Sequence, residues 1–484
     1  MSKRILMRLG KSPFEVKSIW DNIESSAFGA NNGNLVFGYA AHKLLSVSGT
    51  EVVANRYQIH PDMADQVNAE YDGFVLPLAN AFRPSFQGEL RRTTAFIERL
   101  RIPFMMLSGG AQLPLDGNPA ALRPIEEDVK SFARAVLDRS PALSVRGVKT
   151  AEYLASIGIH DVVVVGCPSL TLHGPGHSVQ GIAQLPEDAR VAYNIETSKD
   201  IEPTLIRDID SRFDATYFPQ DQKTLEGMLW GTDPYHGRTD ALPLGRSHKQ
   251  FTSGKAEYWP DAPSWIARLS EFDISIGSRI HGNIAAILAG TPALLLAHDS
   301  RTLELADHHA IPVQRVIPGN DSSLRLEDLV DGDAFRRFNQ IHSSNFRIMS
   351  DFIHDAGFAH IHEEARQSDR DSYAEALAAV SFAEPITDVT SRQTPEELGG
   401  LRMLKKADER HSKTIGELKQ RERRITSALG GIRKRHESEV EALSRELDAA
   451  RSEIAVLTAA VAGLTESKRS PRRRLWGSLP AEES

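Results

Sequence analysis

Cysteine is nearly absent. Cys167 is the only one in 484 residues, which excludes a disulfide framework and a cysteine-based zinc site. Long apolar runs are missing too: nothing approaches the roughly 18 to 20 uninterrupted apolar residues of a membrane span. The opening MSKRILMRLGKSPFEVK holds no signal-peptide core. There is no excess of positive charge either, and a formal net charge of −8 argues against wholesale nucleic-acid binding. The 40% hydrophobic and 25% charged fractions are ordinary for a soluble globular protein, and the length exceeds what one core usually holds. The expectation is a cytoplasmic protein of several domains that binds no nucleic acid.

What the sequence does have is alternation. Up to about residue 180, KRILMRL, GTEVVANRY, YDGFVLPLA, RIPFMMLSGG, ALSVRG and HDVVVVG read as buried strands. Between them LVFGYAAHKLL, GELRRTTAFIERL, EDVKSFARAVLDR and KTAEYLASIG have helical spacing. After GPGHSVQGIAQLPED the pattern resumes with strands ARVAYNIE, DATYFP, FDISIG and PALLLAH and a closing helix within 330–360. Such alternation predicts an α/β fold of two Rossmann-like domains with parallel sheets, 1–180 and 185–360, and a cleft between them. Residues 361–400 read as a linker.

Beyond it the chain changes character. Val440, Leu443, Leu447, Ala450, Ile454, Leu457, Val461 and Leu464 step by three and four without a break. That rhythm predicts a coiled coil over 401–466 and a homodimer through it. Ile415, Leu418, Ile425, Leu429 and Ile432 keep a similar rhythm upstream, with Glu422 and His436 at core positions and one extra residue before Val440. The alternative is a single solvated helix. The tail 467–484, with Lys468, Arg469, Arg472, Arg473 and Arg474 beside Leu475 and Trp476, is a candidate for peripheral contact with an anionic inner membrane face.

The most informative stretch is ISIGSRIHGNIAAILAGTPALLLAH, Ile274–His298. If the apolar run before Gly277 is a strand, Ser278, Arg279, His281 and Gly282 lie at its carboxyl end, where open α/β sheets bind ligands. A helix starting at Asn283 would offer its free N–H groups to an anion. Arg279 adds a fork of donors, and His281 can exchange a proton near neutrality. For both to meet one ligand, Ser278 to His281 must be extended, because i and i+2 diverge on a helix. The bland alternative is that Arg279 pairs with a buried acid and His281 with a neighbouring strand.

This run resembles the hallmark of the polysaccharide pyruvyl transferases: a strand, Gly-Ser-Arg-x-His, a small-residue helix, Gly-x-Pro and another strand. RTLELADHHAIP, ALSVRGVKTAEYLASIGIHDVVVVGCPSL and GANNGNLVFGYAAHKLL resemble further segments of that family, so the likeness spans roughly residues 25 to 315. The family usually carries aspartate where Asn34, Gly147 and Cys167 stand here. Membership implies a GT-B-like arrangement of the two domains. It also implies transfer of the enolpyruvyl carbons of phosphoenolpyruvate onto two sugar hydroxyls of a polysaccharide or its lipid-linked precursor, giving a pyruvate ketal. Arg279 and Arg146 would then hold the anions and His281 would act as the acid, with no metal or cofactor required.

Three other features belong to this reading. Gly33 and Asn34, in the loop Gly29 to Asn34, would face the acceptor, the alternative being a helix capped by Asn32 or Asn34. Gly109 and Gly110 of LSGGAQ allow a ligand close to the backbone, the alternative being an ordinary turn. Tyr258, Trp259 and Trp265 could stack on a sugar or simply pack. His308, His309 and Cys167 read as packing residues. Two rival functions stand beside the transferase: a nucleotide-sugar glycosyltransferase, for which Glu304 is the candidate ribose ligand, and a catalytically decayed scaffold of polysaccharide assembly.

Overall fold

The computed structural model describes residues 2–29, 31–115, 117–233, 235, 241–320, 323–389 and 395–467. The basic cluster from Lys468 onward lies outside them. Residues Met1–Arg402 form one compact unit, and a second begins at Met403.

The first unit contains two parallel sheets. β1 (Lys3–Met7), β2 (Thr50–Ala54), β3 (Gly73–Pro77) and β4 (Phe104–Leu107) pair in the order 2-1-3-4. β5 (Leu143–Val145) and β6 (Val162–Val164) pair with each other, and a parallel bridge from Gly109 to Val145 joins them to the end of β4. In the second sheet β7 (Arg190–Asn194), β8 (Asp214–Tyr217), β9 (Ile274–Gly277), β10 (Ala293–Ala297) and β11 (Val313–Arg315) pair as 11-10-9-7-8. Both sheets thus have their first strand inside, flanked by the second and third, which is the doubly wound switch point. The central strands GFVLP and ALLLA are buried at every position, as parallel strands covered on both faces must be.

Two helices tie the sheets together. The helix Gly33–Leu45 buries Ala41, Leu44 and Leu45 beside β1 and β3, while Val36, Phe37 and Ala40 join the core around the second sheet. The closing helix Arg336–Asp355 follows the second sheet, yet its Met349, Phe352 and Ile353 pack with Ile5, Met7, Val75 and Met105 of the first. The segment expected as a linker is packed as far as residue 389. Tyr373 is buried against Phe14 and His42, Ile386 bridges to Tyr258, and the buried Asp388 carboxylate pairs with Arg246 at 2.7 Å. Its sequence looks like a linker because each of these anchors is a lone residue. Tyr258, Trp259 and Trp265 are core residues. Pro395–Ser467 is one continuous helix, and no described helix is long and apolar enough to cross a membrane.

Three buried histidines make a prediction. His42 is held at about 4 by burial, and burial also lowers His309 and His342. His309 Nε2 accepts from the Cys167 N–H at 2.9 Å, so protonation would break a bond that shapes the loop after β6. Since these rings titrate near 6.5 when unfolded, stability should be full above about pH 6.5 and fall as pH drops toward 4. The loss is up to about 1.4 kcal/mol per pH unit for each ring, read as unfolding temperature between pH 8 and 5.

Candidate active site

The carboxyl ends of the two sheets face a common cavity of about 420 Å³. Its wall is built from the residues that follow the strands. Arg8 comes after β1, Asn80 and Arg83 after β3, and Arg146 after β5. From the other sheet come Glu196 after β7, Gln220 after β8, Ser278 to His281 after β9, and His298 and Arg301 after β10.

Charge dominates this wall. Arg279 Nη1 meets the Glu196 carboxylate at 3.3 Å, and Arg301 Nη2 meets Asp299 at 2.6 Å. Burial would raise Glu196, but Arg279 and the Ser198 hydroxyl and N–H hold it below its ordinary value. Burial would raise Asp299 as well, yet Arg301, His298 and the Thr302 N–H bring it to about 2. Both pairs are therefore ionic. Arg8, Arg83 and Arg146 have no carboxylate within ion-pair distance among the described residues. Arg8 lies over the Tyr57 ring at 4.8 Å and donates to the Pro77 carbonyl. Arg83 donates to the Asn80 carbonyl and lies over Phe86. Arg146 is only 3% exposed, and its Nε and Nη2 have no partner. Burial lowers the pKa of all three, and the proximity of Arg301 lowers Arg83 and Arg146 further. Arg8, Arg83 and Arg146 thus lack an ion-pair partner among the described residues, although Glu304 and Asp299 act on Arg146 at longer range.

His281 is half-buried and opens onto the cavity. Burial first, then Arg146 and Arg301, depress it to about 3, which favours the neutral ring. Burial and the two arginines thus oppose the protonated form that the sequence reading assigns to this ring. Its Nε2 lies 3.9 Å from the Cys167 thiol, and its ring meets Phe37 edge-on. The helix also starts earlier than expected, at Ile280, with Arg279 as its extended N-cap. Arg279 and His281 share the cavity because they straddle a helix start, not because the segment is extended.

The other expected contacts divide. Arg146, Ser278 and Asn34 line the cavity. Ser278 Oγ accepts from the Glu196 N–H at 2.7 Å, and Asn34 Nδ2 donates to Phe28 O at 2.8 Å. Gly33, Gly282, Asn283, Gly109 and Gly110 are not on the wall; they shape it. Asn283 Nδ2 donates to the carbonyls of Gly277 and Arg279, bracing the β9 turn. A Cβ at Gly282 would collide with Gln220 Nε2, and one at Gly33 would sit 2.8 Å from the His281 Cβ. A Cβ at Gly110 would sit 2.7 Å from Arg146 Cδ, so only glycine leaves room for that arginine. Gly109 continues the β4 ladder into β5. Asn32 occupies the N-cap position of the helix at Gly33 without a side-chain capping bond, and Asn31 Oδ1 accepts from the Gly33 N–H.

Glu304 is spent elsewhere. Its carboxylate accepts from the Thr150 N–H at 2.9 Å and the Thr150 hydroxyl at 2.8 Å, at the start of the helix Val148–Ser156. Its side chain fills the space at Gly147, where a Cβ would sit 2.7 Å from Oε2. Glu304, on the helix Ser300–His309 after β10, thus acts on Arg146 from beyond ion-pair distance. Gly147→Ala should cost about 1–3 kcal/mol by overpacking. Glu304→Ala should cost about 1–3 kcal/mol by stranding the buried Thr150 donors, both read by thermal unfolding.

Sheets, switch points and cavity together define an α/β protein with a cationic site at its strand ends. Residues 85–300 match the family model for polysaccharide pyruvyl transferase, as the motif resemblance implied. The match takes in Arg146, Glu196, Arg279 and His281 and stops one residue before Arg301. No curated protein matches the sequence. Among solved structures, a candidate UDP-N-acetylglucosamine 2-epimerase from Listeria monocytogenes is similar at 10% identity and a TM-score of 0.41, over 73% of this chain and 96% of that one. The glycosyltransferase SnogD from Streptomyces nogalater is similar at 13% identity and a TM-score of 0.29, over 78% of this chain and all of that one.

Proposed function

We propose that the protein transfers the pyruvyl group of phosphoenolpyruvate to two hydroxyls of a glycan, forming a ketal. The observation that carries this reading is the set of three guanidiniums without an ion-pair partner in one cavity beside an imidazole whose pKa is depressed. Phosphoenolpyruvate brings about three negative charges near neutral pH, one from its carboxylate and up to two from its phosphate. Arg146, Arg8 and Arg83 would meet them, while Arg279 and Arg301, held in place by Glu196 and Asp299, would orient the two anionic groups.

Once the trianion offsets the arginines, His281 can take up a proton and deliver it to the methylene carbon. One sugar hydroxyl then bonds to the central carbon. The bond from that carbon to the phosphate oxygen breaks, and the second hydroxyl closes the ketal. Of the two hydroxyl protons, one replaces the proton given to the methyl group and the other leaves on phosphate. Ser278 and Asn34 face the same space and are assigned to ligand contact. The rival nucleotide-sugar reading loses its ribose ligand, because Glu304 is occupied by Thr150.

We place the reaction in the cytoplasm, on a polysaccharide or lipid-linked precursor, with the basic tail at the inner membrane face. The test is calorimetry with phosphoenolpyruvate and, separately, with a nucleoside diphosphate. Micromolar binding of the first with millimolar or no binding of the second is expected. The reverse order would replace this reading by a glycosyltransferase, and binding of neither would favour the scaffold.

A further inference from the structure

The C-terminal helix carries a surface that the chemistry above does not use. Val440, Leu447, Ile454 and Val461 fall on one row of a heptad frame and Leu443, Ala450, Leu457 and Leu464 on the next, the two rows that form a coiled-coil seam. The described large members of this stripe, from Val440 to Val461, are 54–64% exposed on the single chain. A helix that exposes Val440, Leu443, Leu447, Ile454 and Leu457 along one stripe presents an apolar face to a partner.

We infer that this face binds a second copy of the same chain as a parallel, in-register, two-stranded coil. Composition sets the strand number: three of the four residues in the first row are β-branched and three of the four in the second are leucine, the combination that favours two strands. Flanking charge sets the orientation. Glu439, Glu446 and Glu453 precede the first row, while Ser444, Arg451 and Thr458 follow the second. In a parallel dimer the position before the first row of one helix faces the position after the second row in its partner's next heptad. Glu446 then meets Arg451 of the other copy, twice per dimer. An antiparallel arrangement would set the glutamate rows against each other. Within its own helix Arg451 touches Asp448 only at 3.9 Å, the outer limit of an ion pair, and so is available to reach across.

Sedimentation equilibrium on the full chain at micromolar concentration tests the association. The expected mass is twice 53.4 kDa. The double variant Leu443→Glu/Leu457→Glu should sediment at 53.4 kDa with an unchanged unfolding transition for residues 1–402. Orientation is tested by Leu457→Cys, which should give a disulfide-linked dimer under mild oxidation, since equivalent seam positions adjoin only in a parallel coil. Arg445→Cys, on the outer side, should not. Cys167 is fully buried and does not compete. Glu446→Arg should raise the dimer dissociation constant several-fold, and adding Arg451→Glu should restore it. A wild-type mass of 53.4 kDa, a dimer that survives Leu443→Glu/Leu457→Glu, or a dimer without the Leu457→Cys cross-link would each overturn the inference. None of these outcomes depends on the reaction catalysed.

Discussion

Arg146→Met should weaken phosphoenolpyruvate binding by about 10²- to 10⁴-fold and, at the same time, raise the unfolding temperature of the unliganded protein. The two effects have one cause. Arg146 is nearly fully buried with Nε and Nη2 unpartnered, and a buried group left without bonds costs roughly 1–3 kcal/mol, more when charged. Methionine has similar length and tolerates irregular packing, so it removes that cost without opening a large void. With an anion bound the sign reverses, because two charge-assisted bonds at about 1.5–3 kcal/mol each are lost. Calorimetry and thermal unfolding of the same preparation check both halves. A fall in unfolding temperature would mean that Arg146 serves the fold rather than a ligand. Arg8→Ala and Arg83→Ala should behave alike but more weakly, since both side chains are half-buried and already rest on an aromatic ring.

Much of the scaffold can be read from the sequence, for a physical reason. A parallel strand buried on both faces must be apolar throughout, so runs such as GFVLP and ALLLA announce themselves. β11 escapes because VQR is three residues long and half-exposed at a sheet edge. The site is less legible. Arg279, His281, Arg146 and Asn34 sit in motifs, whereas Arg8, Arg83, Arg301 and Glu196 are single polar residues just past a strand. Each obeys the rule that ligands bind at strand carboxyl ends, and asking which cation first follows each apolar run would have picked out Arg8 and Arg301. What no local pattern reveals is pairing. Arg279, the most conspicuous cation in the sequence, is neutralised by Glu196 from a strand far away in the chain. The packing at Gly147 and Gly110 is equally invisible, since it depends on Glu304 and Arg146 entering from elsewhere.

His281 carries the other large expected effect. His281→Gln should lower turnover by about 10²- to 10⁴-fold, the usual worth of a positioned general acid, while leaving phosphoenolpyruvate affinity within a few-fold. A further signature separates an acid from a residue that merely packs. Burial first, then Arg146 and Arg301, hold the imidazole near 3, so the proton it needs is expected to come with a ligand whose charge offsets the two arginines. Binding at pH 8, where the ligand's phosphate is already fully ionised, should therefore take up close to one proton per site. The sign follows from linkage: a group whose pKa rises on binding makes binding tighter as pH falls, and this gain disappears above the pKa it reaches in the complex. Calorimetry in buffers of different ionisation enthalpy counts the proton directly. Wild type should give a value near one and His281→Gln a value near zero. Equal counts would assign the proton to another group, and His281 would be left as a wall of the cavity.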